Sequence, residues 1–319
     1  MSTPDASAAG QPPRIPTPAH PRRRRAPLPW QQPKGEEEDP GAPKRIAAIL
    51  RSPSYLEADQ DVEFLHRDDL RGLRLDLEYL KPELLLTEHR IEHTVVVLGS
   101  TRILEPGAAC RQVEQLRARA GVDPGNTEVA RALQVAERIL AKSAYYEVAR
   151  EFGCLVSRGA ASSSWQAVVM TGGGPGIMEA ANRGAFDAGA PTIGLNITLP
   201  HEQYPNPYVT PELCFSFRYF ALRKLHFLHR ARALVAFPGG YGTFDELFET
   251  LALIQTRKVR PIPVVLVGEA YWRKAFDVDF LVDEGVIESE DRDLFWYAET
   301  AQQIWEGILH WHALSDALP

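Results

Sequence analysis

Residues 233–255 have the sequence ALVAFPGGYGTFDELFETLALIQ, which divides into three parts of different character. Ala233–Phe237 is a short apolar run that predicts a buried β-strand. Pro238–Thr243 is a glycine-rich turn, and Phe244–Gln255 has the length and pattern of a helix. A strand, a glycine turn and a helix in this order are typical of a parallel α/β sheet, where the helix N-terminus binds anions such as phosphate. We therefore expect a phosphate-binding turn here, with Thr243 capping the helix and donating to a phosphate oxygen.

A second turn of the same kind lies earlier in the chain. The sequence TGGGPG at residues 171–176 separates the apolar run Ala167–Met170 from a helical pattern over Ile177–Ala188. Because ligands of such sheets bind where the carboxyl ends of the strands meet, the two turns predict one shared anion site. Neither turn has the G-x-G-x-x-G dinucleotide fingerprint or the lysine of a Walker loop. NAD and ATP are therefore poor candidates, and a mononucleotide is the better one.

Strands and helices alternate on both sides of these turns. We predict further strands at Thr94–Leu98, Thr192–Asn196 and Ile262–Val267, and further helices at Thr127–Phe152, Tyr219–Ala231, Ala270–Val282 and Ala301–Leu314. The stretch between the first strand and Thr127 is polar, and we predict no element there. The alternation predicts an α/β fold with a Rossmann-like, doubly wound parallel sheet.

The chain before the first strand differs in composition. Residues 1–45 are rich in proline and charge, and we expect a disordered tail because such a segment buries too little apolar surface to fold. Residues 46–92 predict a helical extension that either covers a sheet edge or mediates assembly. Its leucines recur near helical spacing at Leu65, Leu70, Leu73, Leu77 and Leu80. Residues 93–319 form the predicted nucleotide-binding catalytic domain.

The composition argues against several classes of protein. A formal net charge of −7 and a pI near 5.8 argue against a nucleic-acid-coating role. No apolar run is long enough to cross a bilayer, and no hydrophobic segment follows the basic residues 22–25. We therefore expect no membrane partner, no signal peptide and a cytoplasmic location. The three cysteines are too scattered for a disulfide framework or a metal site, and we expect no metal.

The turn at residues 238–243 belongs to a longer motif. PGGYGTFDE at residues 238–246 resembles the PGGxGTxxE signature of the LOG ("Lonely guy") family. That family's Arg-Lys pair on the preceding helix matches Arg223-Lys224, although leucines stand where the family often has methionines. Gly172–Asn182 resembles its GGG-x-G-x-M segment, and Leu199–Tyr208 resembles its longer subgroup. The resemblance extends from about Thr94 to Ile308.

This resemblance implies an enzyme that hydrolyses the N-glycosidic bond of cytokinin or other purine nucleoside 5′-monophosphates to the free base and ribose 5-phosphate. It implies no cofactor, a small-molecule nucleotide as partner, and a homodimer or larger homo-oligomer with sites near the subunit interface. Arg223 and Glu246 would be the catalytic pair. The residues that we expect to bind the substrate are Ser100, Gly173, Gly174, Glu179, Lys224, Gly239, Gly240, Gly242 and Thr243.

The chemistry of the reaction is consistent with this pair. Cleaving a ribose–base bond builds positive charge on the sugar, which a carboxylate stabilises while it orients or deprotonates water. Arg223 would anchor the phosphate, keep Glu246 ionised, or do both. A purely structural interpretation also exists, with Glu246 and Glu179 as favourable charges near helix N-termini and Lys224 as a solvated side chain.

Other functions stay open at this point. A broad-specificity nucleotide nucleosidase would use the same site. A non-catalytic carrier of a nucleotide or of a molybdenum cofactor, as found among relatives on this fold, would keep the phosphate turn. The presence of both Arg223 and Glu246 favours catalysis, because a carrier needs the turn but not the pair. Lysine decarboxylase is an older label for such sequences, and no recognisable pyridoxal-phosphate lysine context supports it here.

Overall fold

The computed structural model describes residues 15–24, 26–159, 166–200 and 204–315. The chain forms two compact units, one ending at Leu70 and the other beginning at Arg71. The division into a tail, an extension and a catalytic domain stays a prediction. Residues 1–14 and 25 of the expected tail lie outside the described residues.

The first unit contains short helices rather than one continuous helix. Its helices are α1 (Ala42–Leu50) and α2 (Val62–Leu65), with 3-10 turns at Pro29–Gln31, Pro53–Tyr55 and Asp68–Leu70. α1 thus begins inside the segment predicted as a tail. Pro53 opens a new turn just after α1, because proline cannot supply a helical N–H donor. Asp61 caps α2 by accepting a hydrogen bond from the backbone N–H of Phe64 at 2.9 Å.

The second unit is built on a seven-stranded sheet in which every neighbouring pair of strands is parallel. The strands are β1 (His93–Leu98), β2 (Ala167–Thr171), β3 (Thr192–Ile197), β4 (Cys214–Phe217), β5 (Ala231–Ala236), β6 (Val264–Val267) and β7 (Trp296–Ala298). Their order is β4-β3-β2-β1-β5-β6-β7. The predicted Rossmann-like α/β fold is confirmed. The edge strands β4 and β7, of four and three residues, are too short to give a sequence signal.

Helices complete the second unit. They are α3 (Arg71–Glu88), α4 (Pro106–Val122), α5 (Thr127–Leu140), α6 (Ala144–Gly159), α7 (Ile177–Asp187), α8 (Phe220–His229), α9 (Tyr241–Gln255), α10 (Glu269–Ala275), α11 (Val278–Asp283) and α12 (Ala301–Ser315). The single helix predicted over Thr127–Phe152 was wrong. The chain breaks between α5 and α6, where the Ser143 hydroxyl donates to the Leu140 carbonyl at 2.7 Å. α4 lies in the stretch where no element was predicted.

The connections between strands create a crevice at one point of the sheet. Strands β1 to β4 run outward in one direction, and the chain then returns to place β5 on the other side of β1. Ligands of doubly wound sheets bind at such a switch point, outside the carboxyl ends of the strands. Here the segments after β1 and β5 meet, since the Ser100 N–H donates to the Pro238 carbonyl at 3.0 Å. The fold thus brings the turn at residues 238–243 to the switch point.

Candidate active site

A cavity of about 810 Å³ opens at this switch point. Its walls come from the loop after β1, the turn after β2 with the start of α7, the end of β3 with the residue Leu199, helix α8, and the turn after β5 with the start of α9. Ile139, Lys142 and Tyr271 complete the lining. The lining includes the predicted residues Ser100, Arg223, Gly240 and Glu246. It also includes Gly172, which precedes the predicted Gly173. The site is therefore assembled from residues that lie far apart in the sequence.

The turn after β5 leaves the N-terminus of α9 open toward the cavity. α9 begins at Tyr241 rather than Phe244, and its N-cap is Gly240, which supplies no side-chain cap. The prediction that Thr243 caps the helix was therefore wrong, because Thr243 lies within the first turn. A Cβ at Gly239 would meet the Thr243 hydroxyl at 2.1 Å, whereas a Cβ at Gly240 or Gly242 would meet nothing within 4 Å. The first N–H groups of α9 are thus left for an anionic ligand, as at other phosphate-binding helix ends.

The turn after β2 is fixed by a residue that the sequence analysis missed. Asn206 donates from its backbone N–H to the Gly173 carbonyl at 2.8 Å and from its side chain to the Gly174 carbonyl at 3.0 Å. Gly173 has a φ of +69°, and a Cβ there would lie 1.9 Å from the Asn196 side-chain oxygen. Gly173 and Gly174 therefore shape the turn without lining the cavity, which Gly172 does. In the sequence, the only local feature that could have singled out Asn206 is its position between Pro205 and Pro207.

Gly172 gives the Arg223 guanidinium room to lie flat against the turn. A Cβ at Gly172 would lie 2.6 Å from an Arg223 terminal nitrogen and 2.9 Å from the Met178 sulfur. Both neighbours are the ends of flexible side chains, so we expect Gly172→Ala to fold but to displace the guanidinium. If Arg223 has the catalytic role that the family resemblance implies, base release should fall by about tenfold or more, since misplacing a positioned catalytic group by about 1 Å has large effects on rate. The control is Gly121→Ala on α4, where a Cβ would meet nothing within 4 Å. Equal activity of both variants in a base-release assay would contradict the prediction.

Arg223 and Glu246 form a largely buried ion pair at the centre of the cavity. The Arg223 Nη2 and Glu246 Oε1 atoms are 3.6 Å apart, and the two side chains are only 11% and 12% exposed. Arg223 also donates from Nε to the Leu195 carbonyl at 2.9 Å. Its guanidinium lies 5.2 Å from the centre of the Phe227 ring. Arg223 is therefore held from three sides, with one edge directed at the carboxylate.

Burial controls the protonation of this pair. Burial raises the pKa of Glu246 to about 7, although the positive charge of Arg223 opposes that rise. Burial likewise lowers the pKa of Arg223, against the attraction of Glu246 and Asp245. A carboxyl group with a pKa near the working pH is suited to both accepting and returning a proton. The pair thus has the properties of a general acid–base group next to a fixed cation.

Helix α8, which carries Arg223, is anchored at both ends by α3. The Glu78 carboxylate accepts hydrogen bonds from the backbone N–H groups of Arg218 and, at 3.2 Å, Tyr219, where α8 has no side-chain cap of its own. At the other end, the Arg230 guanidinium donates to Glu83 at 2.8 Å. α3 therefore belongs structurally to the unit that carries the site, although the sequence analysis placed it in an extension.

Removal of the Glu78 carboxylate should destabilise this unit. Two backbone N–H groups at the start of α8 lose their acceptor in Glu78→Ala. We expect the free energy of unfolding to fall by about 1 kcal/mol, the usual effect of losing a helix N-cap. The matched control is Glu88→Ala, an exposed glutamate on the same helix, which should change stability by less than about 0.5 kcal/mol. Chemical denaturation measures both, and equal effects would show that Glu78 does not anchor α8.

The remaining predicted residues lie in different places. Ser100 lines the cavity, and its hydroxyl accepts a hydrogen bond from the Arg102 N–H at 3.1 Å. Lys224 does not line it, because its ammonium is paired with Asp245 at 2.6 Å and Glu249 at 3.3 Å on the neighbouring surface. Glu179 points elsewhere and accepts a hydrogen bond from the buried Tyr146 hydroxyl at 2.8 Å. The structure thus brings together Arg223, Glu246, Ser100, Gly239, Gly240, Gly242 and Thr243.

Within residues 15–24, 26–159, 166–200 and 204–315, no group of three or more His, Cys, Asp or Glu side chains is placed to hold a metal ion. In the same part of the chain, no helix combines the length and apolar character needed to span a bilayer.

Comparison with known proteins gives a consistent result. A family model described as "Possible lysine decarboxylase" matches residues 178–308, which include Arg223 and Glu246. The cytokinin riboside 5′-monophosphate phosphoribohydrolase LOG3 of Arabidopsis thaliana is 30% identical over 169 residues, covering 51% of this chain and 74% of LOG3. LOG2 of the same plant is 28% identical over 140 residues, covering 43% of this chain and 64% of LOG2. The chain thus spans slightly less than two thirds of LOG2.

One solved structure has a low similarity to this fold. The molybdenum cofactor binding protein from Rippkaea orientalis is 21% identical, with a TM-score of 0.37, over 52% of this chain and 86% of that protein. This similarity is too low to bear on function. The similarity to LOG3 extends over 74% of that relative at 30% identity. This result agrees with the resemblance of residues 238–246 and of Arg223-Lys224 to the family's motifs. The chain belongs to the LOG family of phosphoribohydrolases.

Proposed function

We propose that this protein hydrolyses the N-glycosidic bond of purine nucleoside 5′-monophosphates, including cytokinin nucleotides, to the free base and ribose 5-phosphate. One observation carries the proposal: the buried Arg223–Glu246 pair faces the same cavity as the open N-terminus of α9. A site that only binds a nucleotide needs an anion-binding turn. It has no need of a buried carboxylate whose pKa is raised to about 7.

The order of residues along α9 supports one orientation of the substrate in this proposal. The 5′-phosphate binds at the Gly240–Gly242 turn and the first N–H groups of α9. Glu246 lies about one helical turn further along the same helix, and the ribose therefore lies beside its carboxylate. The base extends toward the apolar wall formed by Met178, Ile197, Leu199 and Phe220. Such a wall suits a purine and an apolar substituent on it.

The reaction consumes one water molecule. As the bond between C1′ and the base nitrogen breaks, positive charge develops on the ribose ring, and the Glu246 carboxylate stabilises it. The water oxygen bonds to C1′, Glu246 accepts the proton that the water loses, and that proton then passes to the departing base nitrogen. Arg223 keeps part of the Glu246 population ionised and binds substrate oxygens at the centre of the cavity.

The cellular setting is part of the proposal. We infer a cytoplasmic enzyme that works as a homodimer or larger homo-oligomer, as the family resemblance implies. Fluorescence microscopy of a tagged chain and light scattering of the purified protein test these two statements separately.

The central experiment measures base release. The purified chain is incubated with AMP and with isopentenyladenosine 5′-monophosphate, and free base is followed by chromatography. Base release from either substrate supports the hydrolase, and the ratio of the two rates separates a cytokinin-directed enzyme from a broad nucleosidase. The matched control is Glu249→Gln, a glutamate on the same helix that does not line the cavity. Binding of both nucleotides without base release would overturn the proposal and leave the carrier function.

A further inference from the structure

Tyr271 on helix α10 connects that helix to the glycine turn after β5. Its hydroxyl donates a hydrogen bond to the Gly239 carbonyl, and its side chain lines the cavity. The reaction proposed above uses no group from α10. Tyr271 therefore touches the anion-binding turn without having a part in the chemistry.

The sheet holds Tyr271 in a fixed position. The next residue, Trp272, is fully buried, and its indole N–H donates to the carbonyl of Val267 at the end of β6, at 3.0 Å. The Tyr271 ring packs edge-on against Trp272, with the ring centres 5.4 Å apart. Gly268, the N-cap of α10, donates from its N–H to the carbonyl of Ala298 at the end of β7, at 3.0 Å. The start of α10 is thus tied to two strand ends, and the Tyr271 hydroxyl is placed by the sheet.

The turn after β5 is held from the sides of both neighbouring strands. β1 and β6 flank β5 in the sheet. On the β1 side the Ser100 N–H donates to the Pro238 carbonyl at 3.0 Å, and on the β6 side the Tyr271 hydroxyl donates to the Gly239 carbonyl. Two consecutive carbonyls of the turn are therefore fixed by loops that follow two different strands.

Fixing the Gly239 carbonyl also fixes the next N–H. The peptide bond between Gly239 and Gly240 is trans, and in a planar trans peptide the C=O and N–H bonds point in opposite directions. The Gly240 N–H is therefore directed away from Tyr271. Gly240 is the N-cap of α9, so its N–H is one of those for which the helix offers no carbonyl acceptor. This N–H is the group that an anion at the turn would engage first.

The Tyr271 hydroxyl has no second proton to offer a ligand. A tyrosine has a single O–H donor, and the Gly239 carbonyl accepts it here. Burial raises the pKa of Tyr271, although the hydrogen bond to Gly239 opposes that rise, so the hydroxyl keeps its proton at neutral pH. A phosphate dianion presents acceptors only and needs donors from the protein. Tyr271 can therefore act on a bound phosphate through the turn but not as its ligand.

We propose that Tyr271 is a positioning residue, which orients the Gly240 N–H to bind the 5′-phosphate of the substrate. The proposal rests on the proposed function for the identity of the ligand, a nucleoside 5′-monophosphate. A peptide that is already oriented binds without first being ordered, which favours affinity. Without the Tyr271 hydroxyl, the Gly239–Gly240 peptide loses one of its supports, and binding of the phosphate has to order it.

Tyr271→Phe tests this role by removing the hydroxyl while keeping the ring contact with Trp272. AMP and adenosine are titrated by calorimetry into full chains that also carry Glu246→Gln, so that AMP is consumed slowly. The affinity for AMP should fall by about threefold to tenfold, the usual effect of one hydrogen bond. Adenosine has no phosphate, and its affinity should not change.

Tyr145→Phe is the matched control. The Tyr145 hydroxyl lies beside the start of α10, where a Cβ at Gly268 would meet it at 2.7 Å, and it donates to Glu299 at 3.5 Å. Tyr145 does not line the cavity. This variant therefore loses a tyrosine hydroxyl next to the same helix but keeps the support of the turn, and it should bind AMP as tightly as its parent.

A second measurement separates positioning from direct contact with the nucleotide. The full chain is labelled with ¹⁵N-glycine, and the Gly240 amide signal is identified by its absence in Gly240→Ala. In the absence of any nucleotide, this signal should move in Tyr271→Phe and stay in place in Tyr145→Phe. A residue that only contacts the bound nucleotide would leave the signal of the free protein unchanged.

Three results would overturn the proposal. Equal AMP affinity with and without the Tyr271 hydroxyl would show that the turn does not need it. An equal loss of affinity for AMP and adenosine would show that Tyr271 acts on the nucleoside or on the fold as a whole. Weaker AMP binding with an unchanged Gly240 signal would make Tyr271 a direct contact. Base release by the wild type is measured separately, so AMP binding without hydrolysis would contradict the proposed function and still decide the role of Tyr271.

Discussion

Replacement of Glu246 by glutamine should slow base release strongly and at the same time stabilise the folded protein above pH 7. The amide cannot take a proton from water, and general acid–base catalysis contributes about 10²–10⁴-fold to a rate. We expect kcat/KM to decrease by a factor within that range. Nucleotide binding should persist, because the anion-binding turn around Gly240 and Gly242 is unchanged. A nucleotide titration of the variant separates the loss of chemistry from the loss of binding.

The expected gain in stability follows from the same burial. The pKa of Glu246 is raised from 4.5 to about 7 in the folded chain, so the folded state binds this proton more tightly than the unfolded state. The contribution of this tighter proton binding to the stability of the folded state is complete below pH 4.5 and is lost as the pH rises through 7. Above pH 7 the buried charge costs roughly 3 kcal/mol, which glutamine avoids.

Thermal unfolding at pH 5 and pH 8 measures this effect. Glu246→Gln should unfold at a temperature higher by on the order of 5 °C or more at pH 8, with a much smaller difference at pH 5. Glu249→Gln is the matched control, since Glu249 is on the same helix but is 36% exposed and paired with Lys224. A Glu246→Gln variant that is equally stable at both pH values would show that burial does not raise the pKa of this carboxyl group.

Much of the fold could be predicted because its strong signals are local. The apolar runs that became β1, β2, β3 and β5 are bounded by glycine or polar residues within a few positions. The seven-residue helix α10 and the six-residue helix α11 were instead merged into one. Asp277 separates the two helices by capping α11, because its carboxylate accepts hydrogen bonds from the backbone N–H groups of Asp279 and Phe280. The pattern of apolar residues does not reveal this local cap. Short elements and breaks are therefore where the pattern fails.

The motif residues lie at the candidate cavity where the motif determines the backbone, and they lie elsewhere where tertiary contacts orient the side chain. Gly240 and Gly242 line the cavity, and a Cβ added at either glycine would meet no atom within 4 Å. The orientation of Glu179 depends on Tyr146, which is 33 residues away in the sequence. Lys224 follows Arg223 directly in the sequence, yet the helix turns its side chain toward Asp245. No pattern along a single helix contains these pairings.

Substitution of Arg223 should change both the height and the position of the pH–rate profile. Its guanidinium lies 3.6 Å from the Glu246 carboxylate and lowers the pKa of that group. In Arg223→Ala this charge is lost, so the Glu246 pKa should rise above its present value of about 7. The proposed reaction requires the ionised carboxylate, and the rise of kcat/KM with pH should therefore move to higher pH. The maximum rate should also fall by about 100-fold, as expected when a preorganised donor is removed.

Arg223→Lys separates charge from geometry in this pair. Lysine keeps the positive charge but not the planar fork that binds the Leu195 carbonyl and faces Glu246. The acid limb of the profile should therefore stay near its wild-type position, while the rate falls nearly as far as in Arg223→Ala. If both variants instead lose rate with no movement of the acid limb, the charge of Arg223 does not set the protonation of Glu246. Arg223 would then act on the substrate alone, because a cation that interacts with Glu246 in the free enzyme must move its pKa when removed.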